Sequence, residues 1–230
     1  MTPLQERFPP TMFCVGLLEC PLDAVVEADR HWRAQIGRSE FCKLRCDLPQ
    51  MLSRLEPLSG PKTRHLWIAT HSKWTTYVDN FVIGSDPQSP IAYLSEILAC
   101  RGLILSCRPN LNNRLFGQAR FDLYGQPPVG LYNLSRSISA TNDGGRWSWD
   151  TYGDPLPFED LQSYENKSIR HRLTSEMVVR YARTLGANPF TEDYYCSVGC
   201  LVSKSNGFPS RTREVTFEES RKSIGIVRNG

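Results

Sequence analysis

No stretch of this chain stays apolar for long enough to cross a bilayer. The longest run, Met12 to Leu18, is closed by Glu19 and Cys20, far short of the ~20 apolar residues that a spanning helix needs. No membrane partner is expected. The N-terminus carries Glu6 ahead of that run and shows neither a basic leader nor a small-residue cleavage site, so export is not expected and a cytoplasmic location is. Catalytic signatures are missing as well. The alternating Gly, Ser, Gly of a nucleophile elbow is absent, as are the glycine and lysine spacing of a phosphate loop and the dinucleotide-binding glycine fingerprint. No cofactor is therefore expected.

A strong charge of either sign is lacking too. The net charge is +3, and it sits at one end: from Lys204 onward there are six Lys or Arg against three Glu, which leaves 21 of each sign before that point. A formally neutral body lacks the concentrated positive face that displaces phosphate counterions, so nucleic acid is not the expected partner.

What the chain does have is globular character. Its 230 residues are 40% hydrophobic and 22% charged, enough apolar surface for one large core or two modest ones. Its eight cysteines need not be staples in a chain of this size, and they read as free, mostly buried thiols in a reducing compartment.

Local patterns give an order of elements. Met12 to Leu18 reads as a buried strand, and residues 22–36 carry apolar side chains at helical intervals up to Gly37. Asp47 and Pro49 open a short second helix, and Ser59 to Pro61 form a turn that is the best internal boundary, a weak one near 59–62. Residues 64–68 and 74–78 flank a polar turn and predict a hairpin. Ser89 and Pro90 start another helix, followed by strand-like runs at 103–107, 114–124 and 131–140. The sequence Asn142, Asp143, Gly144, Gly145 supplies positive-φ residues for a tight hairpin before Trp147. Short helical patterns over 157–164 and from Thr174 to Leu185 complete the body.

These elements predict an α+β fold, with a central antiparallel sheet of five to six strands and helices packed on one face. They predict one domain over 1–203 and a flexible basic tail over 204–230.

Candidate chemistry is sparse. Cys42/Cys46 and Cys196/Cys200 repeat one spacing, but three intervening residues fit a helical i, i+4 pair better than a zinc knuckle, so no metal is expected. A cysteine nucleophile would need one of the four histidines beside it, and no local signature marks a pair. Aromatics say more. Trp74 and Tyr77 lie on one predicted hairpin, Trp147 and Trp149 on another, with Asp79, Asn80 and Arg146 beside them. Trp, Tyr and Arg dominate interface hot spots, so these seven residues form the candidate partner-binding set.

The segments WTTYVDN at 74–80, NDGGRW at 142–147, PFED at 157–160 and LGANPFTEDYY at 185–195 resemble a family of uncharacterised bacterial proteins, mostly from high-GC genomes. The resemblance covers about residues 64–195 and implies a cytoplasmic bacterial protein. No activity is established for that family, so no catalytic residue is carried over.

The functional expectation is a non-enzymatic protein-binding module of the immunity-protein or antitoxin kind, which neutralises a toxin by occluding it. The alternative is an enzyme whose site is assembled from scattered residues such as His71, Asp79 and a cysteine.

Overall fold

The computed structural model describes residues 1–37, 39–111, 115–204 and 214–226. Among them nine strands form one antiparallel sheet. They are β1 (Cys14–Leu18), β2 (Ser39–Leu44), β3 (Arg64–Thr70), β4 (Thr75–Asp79), β5 (Gly102–Arg108), β6 (Gln118–Tyr124), β7 (Leu134–Asp143), β8 (Arg146–Tyr152) and β9 (Tyr195–Lys204), in the spatial order β2-β9-β3-β4-β1-β5-β6-β7-β8. The α+β class and the antiparallel sheet agree with the sequence; the expected five to six strands become nine.

Two of the strands carried no clear signal. β2 is an edge strand whose residues are exposed or half-buried, so its apolar alternation is faint. β9 is interrupted by Gly199, which reads as a break. Its glycine is a packing requirement: a Cβ there would meet Met51 Sδ at 2.7 Å and the Trp67 carbonyl at 3.0 Å.

Helices cover both faces, not one. α2 (Leu22–Ile36) and α4 (Gln88–Ile97) pack through Val25, Ile91 and Leu94 on the face that carries Leu18, Trp67, Ile104 and Val202. On the other face α1 (Pro3–Arg7), α3 (Leu48–Ser53), α6 (Ser175–Thr184) and α7 (Phe217–Ile224) join the core of Val15, Leu17, Leu66, Leu105 and Phe121. A further short helix, α5, spans Leu161–Tyr164. The reason is written in the central strands. Leu17-Leu18, Leu66-Trp67-Ile68 and Leu103-Ile104-Leu105 are continuous apolar runs, buried on both sides, and such strands need cover on each face.

Within the expected tail, residues 214–226 are described and carry α7. Thr216 and Glu219 close a capping box at the start of α7, Phe217 stacks edge-on against Phe8 at 5.2 Å, and Val215 pairs with Leu58. Residues 205–213 and 227–230 of the expected tail lie outside the described residues. The turn near 59–62 is knitted into the body, with Ser59 bridged to Phe81 and its amide donating to the Asn80 carbonyl.

Candidate functional site

The seven residues expected to meet a partner divide into two groups. Trp74, Tyr77, Asp79 and Asn80 are buried. Trp74 donates its indole N–H to the Leu185 carbonyl at 3.0 Å, fixing α6 to the sheet. Asp79 accepts from the Tyr77 hydroxyl and from the amides of Phe81 and Asp86, and burial pushes its carboxyl up. Asn80 accepts from the amides of Thr63 and Arg64 and donates to the Pro57 carbonyl, organising the turn between α3 and β3. These four hold the fold together and present nothing to a partner.

Arg146 is exposed and Trp147 and Trp149 are half-buried. Trp149 lies between Tyr164, with ring centres 5.1 Å apart, and the Arg172 guanidinium. β4 and β8 stand five ladder positions apart, about 24 Å at the usual strand spacing. The two tryptophan hairpins therefore do not join into one surface.

A buried polar cluster that sequence reasoning missed sits under α2. Asp29 is fully buried and accepts from His65 Nε2 at 2.7 Å, Trp67 Nε1 at 2.9 Å and Arg33 Nε at 2.9 Å. Burial alone would push the Asp29 carboxyl up; the His65, Arg33 and Trp67 donors outweigh it and hold it at about 2. Burial lowers the His65 pKa against the pull of Asp29, which favours the neutral imidazole. Every partner here is a structural neighbour. Asp29 falls at the position of α2 that faces the sheet, and its periodicity was the available signal.

The scattered-residue enzyme site is only partly assembled. His71 Nδ1 lies 3.5 Å from Cys196 Sγ on the surface, where the turn after β3 meets the start of β9. Asp79 is elsewhere: it pairs across the ladder with His65, six residues and about 20 Å along β3 from His71. Burial raises the Cys196 pKa, the opposite of activation. The paired cysteines diverge as well. Cys42 sits opposite Leu201 and Cys200 opposite Lys43, so alternation points the two thiols to opposite faces. Among the described residues no group of three or more His, Cys, Asp or Glu is placed to hold a metal ion.

A concave surface lies at the end of β6, β7 and β8. There the loop after β6 and the loop after β8 enclose a groove of about 370 Å³, lined by Pro127, Val129, Arg136, Tyr152, Pro155 and Pro157. Its floor is rigid. Arg136 is buried, holds Glu159 through two hydrogen bonds of 2.9 and 2.7 Å, and donates to the carbonyls of Tyr152 and Gly153. Glu159 also accepts from the Leu156 amide and the Tyr164 hydroxyl, so the pair is saturated.

Of the lining residues Val129 and Tyr152 are close to half exposed, and next along the loop Leu131 is 75% and Tyr132 72% exposed. Tyr132 and Asn133 adopt left-handed backbone, at φ 58° and 63°, which is uncommon for residues with a Cβ. Two bonds pin this conformation: Gly125 N–H to the Asn133 carbonyl, and the Asn133 side chain to Ser95 on α4. The sequence signal available was the Pro-Pro, Gly, Leu-Tyr succession after β6, which instead read as the start of a strand.

No protein-family model matches this chain, and no curated protein and no solved structure shows significant similarity to it. The resemblance suggested by the four quoted segments thus gains no support. No helix among the described residues is long and apolar enough to cross a membrane.

Proposed function

We propose that this chain is a protein-binding domain that grips an extended segment of its partner in the groove between the 126–132 and 152–157 loops. The observation that carries this reading is the pairing of a rigid floor with a displayed apolar rim. Leu131 and Tyr132 stand out of a loop held by specific bonds, so little conformational entropy is lost when they are covered. An isolated exposed leucine would mean nothing; Val129 and Tyr152 line the groove and Leu131 and Tyr132 follow in the same loop, which together make the kind of patch that marks an interface. Alternation along β8 puts Arg146 on the same face as Tyr152, and Trp147 and Trp149 on the opposite one, so of the three only Arg146 continues the Tyr152 side of the groove. A toxin occluded by the groove is the partner that the immunity or antitoxin form of this reading requires.

The test is affinity purification from the native host with the parent chain and with a Leu131→Asp, Tyr132→Asp double variant. A stoichiometric partner that co-elutes with the parent and is lost from the variant supports the proposal. Equal recovery with both chains, or a clean monomer from the parent, counts against it. For the toxin form, co-expression with that partner restores growth with the parent chain and fails with the variant.

The contact of Cys196 with His71 favours a second, enzymatic reading. It requires a thiolate–imidazolium pair, so Cys196 would alkylate with a half-maximal rate below pH 7. A rate that climbs only above pH 8.5, as for an ordinary thiol, removes it.

A further inference from the structure

A second concave region lies on the face that carries α4, away from the groove. α4 closes onto the sheet over two glycines: a Cβ at Gly16 would meet Ile91 and Pro87 at 2.6 Å, and one at Gly102 would meet Ile91 at 2.7 Å. The helix begins over Gly16 and leaves the same face open beyond that point. The register of β1, β5 and β6 brings Cys14, Ser106, Arg108, Gln118 and Arg120 onto this open floor. The 81–88 loop forms the facing wall, and together they bound a cleft of about 220 Å³. That is room for a small organic molecule, since a water's share of liquid volume is ~30 Å³.

Arg108 is anomalous in this cleft. Its Nε is shielded from solvent and has no hydrogen-bond partner, and no carboxylate among the described residues pairs with its guanidinium. Burial lowers its pKa. Among the described residues several comparably sequestered arginines hold acids, Arg33 with Asp29, Arg101 with Glu19, Arg120 with Asp122 and Arg136 with Glu159, while Arg64 and Arg172 donate to the backbone carbonyls of Glu56 and Asn166. Asp86 is the acidic residue on the cleft's rim, and Lys62 already engages it at 2.7 Å. Arg108 is half-buried, so its charge keeps some solvent, but an N–H shielded from water with no acceptor is costly and leaves the guanidinium open to a ligand that supplies one. Across from it, Phe13, Phe81 and Ile104 give the cleft an apolar wall.

We propose that this cleft binds a small organic anion, with its carboxylate or phosphate on the Arg108 guanidinium and its apolar body against Phe13 and Phe81. The guanidinium fork matches either oxyanion through paired N–H bonds, and Arg120 adds positive charge beside it. This site does not depend on the groove or on a protein partner.

Thermal unfolding of the full chain with inorganic phosphate, glycerol 3-phosphate and malate tests it, each at ~10 mM, where a ligand well above its Kd raises the midpoint by about 5 °C. We expect at least one probe to do so for the parent and none for Arg108→Gln. A phosphate response without a malate response identifies the anion as phosphoryl, and the reverse as carboxylate. Without any probe, Arg108→Gln should unfold at the same temperature or higher, because it removes a shielded N–H that has no acceptor. Arg108→Lys keeps the charge but loses the fork, and should weaken binding about tenfold. The proposal is overturned if no probe shifts the parent, if Arg108→Gln responds as the parent does through general anion stabilisation, or if Arg108→Gln and Arg108→Lys both fail to fold.

Discussion

At the scale of single residues, the interior of this molecule is organised by polar side chains whose bonding is nearly complete. Asp29 is the clearest case, and its linkage to pH can be worked out. Below pH 6.5 an unfolded chain protonates His65 while the folded chain, with its lowered His65 pKa, does not. The unfolded state then binds more protons, so stability is present above that value and falls with decreasing pH, by at most ~1.4 kcal/mol per unit for one proton. Asp29, held at about 2, adds a loss below about pH 4. Asp79 and Asp122, whose carboxyls burial raises, act in the opposite sense at acid pH and are common to parent and variant.

Urea unfolding of the parent and of His65→Gln between pH 7 and 5.5 should therefore converge as pH falls; a constant gap would refute the assignment. Trp67→Phe, which removes one donor to Asp29 and leaves a cavity, should cost about 2 to 4 kcal/mol by the same measurement. Asp79 and Asn80 were legible in the sequence only as polar residues among aromatics. A displayed polar side chain and one that braces a turn have the same local signature, and only the ladder partners separate them.

At the scale of elements, legibility followed how local the determinant is. The β7–β8 hairpin was readable because Gly144 and Gly145 take φ of 62° and 97° and the Asn142 side chain accepts from the Gly145 amide. α3 and α6 were readable because Asp47 and Thr174 accept from Gln50 and Met177 amides as N-caps. β2 and β9 were not, since what makes them strands is each other and the edge of β3, partners more than 100 residues apart in sequence for β2 and β9. The same holds for α7, whose docking rests on Phe8.

Two substitutions probe these long-range fits. Gly16→Ala drives a methyl into Ile91 and Pro87 and should destabilise the chain by about 1 to 3 kcal/mol through α4. Phe217→Ala should cost about 3 to 5 kcal/mol if α7 belongs to the body, as its burial requires. A Phe217→Ala variant with unchanged denaturation midpoint would contradict the packing of residues 214–226.

At the scale of the whole molecule, a doubly covered sheet leaves its open features at the margins: the groove beyond β6 to β8 and the cleft where α4 begins. The partner-binding reading came from aromatics and arginines without catalytic motifs, and those residues did not point to the groove. Four of the seven expected contacts turned inward because the β3–β4 hairpin occupies the middle of the sheet, whereas β8 stayed at its edge. The exposed rim at 129–132 was hidden in a segment that reads as strand.

That rim is the central claim. A photo-crosslinking residue placed at Tyr132, with a control at exposed Ile36 on α2, should trap one discrete protein in the native host from position 132 and none from position 36. No adduct at 132, or the same adducts from both positions, would contradict the account.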